Sequence, residues 1–276
     1  MSVISAAKAN RTAGAFGRLV TTPTFGPLIV LIAFCALFSV TTRTFWAAGN
    51  LSLVVQQSVI VGTLAIGQTM IILTAGVDLA NGGIAVLGTI IAGRLVAQGG
   101  AFPVTDDLLS WTGNAFAVGD TSITYGMIIM FCLYLLVWYL LTQTAWGRHV
   151  YAIGNNREAA RLVGIPVQAR LLSVYTFAGL LYGIAAWLAL GRIPNADPNA
   201  LQNGNLDSIT AVVIGGTSLF GGRGSLWGTL IGTLIVAVLR NGLTLTGIDP
   251  LWQDLVTGIL VISAVALDQL SRSRQR

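Results

Sequence analysis

The chain reads as an all-α integral membrane protein, a polytopic helical bundle of about eight membrane segments with some helices broken by glycine. Three observations predict this. Hydrophobic residues make up 54% of the 276 and charged residues only 9%, where soluble domains carry about 25% charged residues. Several apolar runs reach or approach the roughly 20 residues that cross a bilayer. Glycine occurs 33 times, as suits helices that pack closely in lipid. The organisation expected is a tail over 1–23, a transmembrane domain over 24–270 with a polar loop at 144–169, and a tail over 271–276.

The segments expected, in order, are 24–42, 50–74, 82–98, 123–143, 170–191, 207–221, 225–245 and 251–269. The tail before the first holds Lys8, Arg11 and Arg18 but no apolar core. It therefore lacks the pattern of a cleavable signal peptide, and the run from Pro27 is expected to be an uncleaved first helix. Segment 207–221 is short and rich in glycine, a composition that often marks broken helices lining a path.

Charge sets the expected topology. Of 15 basic residues 14 are arginine, and they gather at loops and ends. With the N-terminus inside, the inner set is Lys8, Arg11, Arg18, Arg148, Arg157, Arg161, Arg170, Arg223, Arg272, Arg274 and Arg276. The outer set is Arg43, Arg94, Arg192 and Arg240. This bias satisfies the positive-inside rule. Asp106, Asp107, Asp120, Asp197, Asp207, Asp249 and Asp254 lean outward. Both termini and the 144–169 loop are expected on the cytoplasmic side.

Two glycine-rich breaks interrupt the bundle. In the first, Gly76 is expected to end one helix in the left-handed conformation, and Asp78 or Asn81 to cap the next, with Gly83 just beyond. The second holds Gly215, Gly216, Thr217, Gly221, Gly222 and Arg223. The segments after the breaks echo one another weakly, Gly88-Thr89-Ile90-Ile91 against Gly228-Thr229-Leu230-Ile231, as paired broken segments of transporters do. The first break reads either as a helix break beside the transport path or at the cytoplasmic gate, or as an ordinary tight turn; Arg223 in the second reads either as a contact to lipid phosphate or a partner, or as a plain orientation charge. Gln56, Gln57 and Gln68 lie in the second segment, where amides need polar partners. They read either as interhelical bonds or as neutral groups facing hydroxyls in a path.

The polar loop is the most distinctive stretch. Asn155 or Asn156 can cap a short helix, Gly164 with Pro166 can end it, and Glu158 stands three residues before Arg161. It reads as a docking surface for a partner or as a solvated connector.

Several chemistries are excluded. The second break resembles a phosphate loop only superficially: such a loop needs Gly-Lys-Ser/Thr after a strand, and Lys8 is the only lysine. His149, the only histidine, has no cysteine or carboxylate cluster beside it, so no metal site is expected, nor a serine hydrolase at membrane depth. Cys35 and Cys132 lie in apolar runs and read as packing residues without a disulfide. The net charge of +5 reflects orientation signals and not nucleic-acid binding. No cofactor is expected.

Three blocks carry a resemblance: Gly76-Val77-Asp78-Leu79, Gly147 to Gly164, and Leu206 to Ser225. The chain resembles permease subunits of bacterial ABC sugar importers of the ribose/xylose/arabinose/fructose type, over most of residues 25–270 and with most likeness to fructose- and ribose-type members. The resemblance implies a non-enzymatic inner-membrane subunit working as a homodimer in the lipid bilayer. A cytoplasmic ABC ATPase would drive it and a periplasmic sugar-binding protein would feed it. It implies that Gly147, Arg148, Gly154, Asn155, Glu158, Ala159, Ala160, Arg161 and Gly164 belong to the ATPase-coupling loop. Family members carry about two more helices where Gly99 to Pro103 here runs straight into an acidic outer loop at 104–122.

Rival readings are a stand-alone secondary transporter or channel, an ABC permease for branched amino acids or nucleosides, and an inactive shortened subunit. Proton or sodium coupling generally uses carboxylates at membrane depth. The expectation is that Asp207 and Asp254 sit near segment ends.

Overall fold

The structure is a computed structural model that describes residues 24–97, 110–119, 121–192, 201 and 203–273. The expectations for the two tails before 24 and after 273, for the Gly99–Pro103 junction, and for Asp106, Asp107, Asp120 and Asp197 lie outside these residues. The helices are α1 (Phe25–Thr41), α2 (Ala48–Leu73), α3 (Asn81–Ala97), α4 (Tyr125–Gln143), α5 (Ala145–Asn155), α6 (Arg157–Leu162), α7 (Val167–Arg192), α8 (Gly204–Ile214), α9 (Leu226–Leu245) and α10 (Pro250–Ser273).

A helix falls on each of the eight expected segments, but among the described residues only α2, α4, α7 and α9 are long and apolar enough to cross a membrane. The clearest departure is at 207–221. There α8 has 11 residues, about 16 Å at 1.5 Å per residue, roughly half a hydrocarbon core. It ends because Gly216 turns left-handed at φ 85°. The Gly216 and Thr217 amides then close back on the Val213 and Val212 carbonyls, a Schellman motif.

A second departure precedes α4. A short 3₁₀ turn over Trp111–Gly113 leads into strands β1 (Ala115–Val118) and β2 (Thr121–Thr124). They pair antiparallel, Ala115 opposite Thr124 and Val118 opposite Thr121. An irregular acidic loop was expected here. The alternation Phe116-Ala117-Val118 and Ile123-Thr124 instead suits a small ribbon.

The bundle is organised around α2. Leu64, Ala65, Ile66, Met70, Ile71, Ile72 and Leu73 are all fully buried, and α2 packs against α4, α7, α8 and α9. α3 lies on α7, where Gly88 meets Ala186. α1 packs on α9, where the Phe38 ring sits over Gly242. Small residues at these crossings let backbones approach, the usual source of helix association without a hydrophobic driving force.

The bundle has two distinct ends. At the hairpin end, Ser52 donates to the Ser122 carbonyl, and the amides of Asn50 and Asn241 pair at 3.0 Å. At the opposite end, which we call the junction end, the C-terminus of α2 meets α5 and the loop after α8. Arg240 belongs to the hairpin half of the bundle, whereas Arg157 and Arg223 gather at the junction end.

Candidate coupling and translocation site

The three stretches singled out in the sequence meet at the junction end. The last turn of α2 leaves carbonyls without helical partners. The Gly222 amide donates to the Leu73 carbonyl at 2.9 Å, and the Arg157 guanidinium reaches the Thr74 carbonyl at 3.5 Å. A cation there also suits the negative end of the helix dipole. One group comes from the second break and the other from α6, so both are tied to the end of α2.

Glycine makes this convergence possible. A Cβ on Gly154 would collide with the Leu73 carbonyl and the Gly222 amide. Gly222, left-handed at φ 70°, lies against the Asn155 backbone, and Gly221, at φ 81°, lies against Ala75. The residue that turns left-handed after α2 is Ala75, at φ 60°; Gly76 was expected. The Ala75 and Gly76 amides bond the Ile72 and Ile71 carbonyls. Gly76 instead makes room for Tyr175, whose hydroxyl a Cβ would meet at 2.7 Å.

The polar loop is a pair of helices, α5 and α6. Thr144 caps α5 by accepting from the Gly147 amide at 3.2 Å, and Asn156 caps α6 by accepting from Ala159 at 3.0 Å. Gly164, at φ 85°, ends α6 in a Schellman motif. Of the expected coupling residues, Arg148, Asn155, Glu158, Ala159, Arg161 and Gly164 are exposed, whereas Gly147, Gly154 and Ala160 are buried. Gly147 serves the elbow between α4 and α5, since a Cβ would strike the Leu141 carbonyl. Glu158 and Arg161 stand 3.9 Å apart and both are exposed. Tyr151 donates to the Gly224 carbonyl at 3.2 Å, and burial pushes its phenol pKa up, so it remains a donor. The sequence reading missed Leu162 and Val163, which are 88% and 76% exposed. Two bare apolar side chains beside Gly164 in a polar loop were the available signal.

The first break is closed by α8. Asp78 accepts from the Ala80 amide at 2.8 Å, a local Asx turn, and does not cap α3. Asn81 does not cap it either. Its side chain donates to Ser208 at 2.7 Å and Gln68 at 3.2 Å. The cap comes from another element: the Asn205 side chain accepts from the Gly82 amide and donates to the Leu79 carbonyl at 2.6 Å. Gly83 faces open space.

The three glutamines separate. Gln68 is fully buried at the first break, whereas Gln56 bonds Ser52 and Ser122 at the hairpin end. Gln57 is half-buried one position further along the same helix. In the second break Gly215 abuts the Gly228 carbonyl, and Thr217 is buried against Gly224. The Arg223 carbonyl accepts from Ser218 at 3.0 Å.

The other end of α8 carries charge. Asp207 is buried and accepts from Arg240 at 2.7 and 3.3 Å. Arg240 also reaches Asp254 at 3.1 Å, and Asn203 donates to that carboxylate at 2.9 Å. Asp207 lies in the first turn of α8, near a segment end as expected, and is a neutralised partner inside the bundle. Among the described residues no group of three or more histidine, cysteine or acidic side chains is placed to hold a metal.

The sequence pattern of the family described as "Branched-chain amino acid transport system / permease component" matches residues 100–265. The chain belongs to this permease family. The fructose import permease protein FrcC of Rhizobium meliloti is 38% identical over 312 residues, covering 91% of this permease and 87% of the relative. The ribose import permease protein RbsC of Escherichia coli K12 is 33% identical, covering 87% and 92%. The galactose/methyl galactoside import permease protein MglC of Haemophilus influenzae is 36% identical over 172 residues, covering 62% of this permease and 51% of the relative. No solved structure matches it. The FrcC alignment spans 312 positions, whereas 91% of 276 residues is about 251, so about 61 positions of that relative have no counterpart here. That length is roughly that of two spans with their connections.

Proposed function

We propose that this permease is the membrane-spanning subunit of an ABC importer for a monosaccharide, seated in the inner membrane with the junction end and both termini in the cytoplasm. It catalyses no bond chemistry. A separate ATPase docks on α5 and α6, a periplasmic binding protein delivers the sugar at the hairpin end, and two copies of the permease form the pore. The observation that carries this reading is the junction itself, where α6 and the second break both supply partners to the orphan carbonyls of α2. A displacement of α5 and α6 by the ATPase must therefore move the ends of both breaks. This is a two-state element biased by a ligand on another subunit. The exposed Leu162 and Val163, on the same stretch as the exposed Glu158 and Arg161, give the docking face an apolar centre with charge beside it. The sugar-importing relatives support the cargo class.

The breaks line the path: Gly76, Asp78 and Gly83 with Gln68 in the first, and Gly215, Gly216, Thr217, Gly221, Gly222 and Arg223 in the second. Gln56 and Gln57 stand at the outer mouth. The test is reconstitution of the permease in proteoliposomes with the ATPase and binding protein from the same source. ATP-dependent uptake of fructose, ribose, galactose or allose is expected. Uptake that persists with the permease alone would replace this reading with a stand-alone transporter.

A further inference from the structure

Three polar atoms at the first break are buried without a hydrogen-bond partner: Gln68 Nε2, Asn81 Oδ1 and Tyr182 Oη. Gln68 and Asn81 are fully buried and Tyr182 is 1% exposed. Two of the side chains touch, and the third lies one helix position away. The Gln68 and Asn81 amides touch at 3.2 Å, and the Tyr182 ring packs against Gly67, the neighbour of Gln68. The Asp78 carboxylate stands beside the Tyr182 hydroxyl. Buried polar groups are nearly always paired, and an unpaired one calls for an explanation.

We infer that Gln68, Asn81 and Tyr182 form a sugar-binding station within the permease, closed in this conformation. The inference rests on the importer reading above and deepens it. One amide donor, one amide acceptor and one phenol that does both match the hydroxyls of a neutral sugar, each of which donates and accepts. The groups come from α2, from the head of α3 and from α7. The head of α3 is held shut from α8, through Asn205 on Leu79 and Gly82 and through Ser208 on Asn81. Displacing α8 uncovers the station. Because α8 runs into the second break, the ATPase-driven movement that shifts that break also opens this site.

The test uses the full importer with Tyr182→Phe and Gln68→Met. Tyr182→Phe removes only the hydroxyl, which lies beside Asp78, so a structural role predicts that any loss of uptake tracks a fall in melting temperature. The station predicts that uptake of the preferred sugar among fructose, ribose, galactose and allose falls about three- to tenfold, the worth of one hydrogen bond. ATPase recovery and ATP turnover should be undiminished. Gln68→Met should lower uptake at least as much at an unchanged melting temperature. Uptake within about twofold of wild type for Tyr182→Phe overturns the inference, as does a Gln68→Met loss that tracks lost protein stability. A wild-type permease that recovers no ATPase brings down the importer reading first, before either variant is compared.

Discussion

The two ends of α8 are held by opposite means. Towards the hairpin end, side chains hold it: Asp207, Arg240, Asp254 and Asn203 bind one another across three helices. Towards the junction end, backbone holds it: Gly215 lies on the Gly228 carbonyl, and the loop that follows places Gly222 against Leu73 and Asn155. A charge cluster can be broken by deleting one side chain. The glycine contacts of the junction have no side chain to delete and are broken only by adding one. The first kind of contact favours a single register of helices. The second keeps backbones close while leaving α5 and α6 free to carry a displacement.

Breaking the charged end should have the largest effect. Arg240→Leu leaves Asp207 buried without its cation, a loss of about 3–5 kcal/mol, seen as a large drop in melting temperature in detergent. Asp207→Leu with Arg240→Leu should recover most of it, and a double variant as unstable as the single would show that the pair holds nothing. At the junction end, Gly154→Ala forces a Cβ into the Leu73 carbonyl. Overpacking of this kind costs about 1–3 kcal/mol, and here it should also abolish ATPase recovery. A variant that still recovers ATPase would show that the close approach is dispensable.

Ala75→Gly should sharpen the contrast in the other direction. A left-handed non-glycine residue costs roughly 1–2 kcal/mol, so glycine is expected to raise the melting temperature by several degrees. An unchanged melting temperature would place the strain elsewhere. The smallest structural effect is expected for Glu158→Arg, because an exposed pair at 3.9 Å contributes under about 1 kcal/mol.

Much of the helical layout was legible in the sequence because long apolar runs have few alternatives. The caps of α6 were legible too, since Asn156 and Gly164 act through local geometry. What escaped depends on contacts between distant residues. α8 packs so closely on α9 only because Gly215 meets Gly228. The head of α3 is capped by Asn205 from another helix, although Asp78 and Asn81 lie closer in sequence. Asp207 is neutral in effect because Arg240 folds onto it from 33 residues away. Gln56 and Gln68 share a helix but sit at different depths, so residue type alone could not separate them. The convergence of the polar loop with both breaks was invisible in each stretch taken singly.

The most direct measurement is recovery of the ATPase in mild detergent by the tagged permease, wild type against Glu158→Arg. The junction as docking face predicts stable recovery by the wild type and reduced recovery by a variant of equal melting temperature. Equal recovery by both would remove Glu158 from the docking face. No recovery by a well-inserted wild type would contradict the docking of an ATPase on α5 and α6.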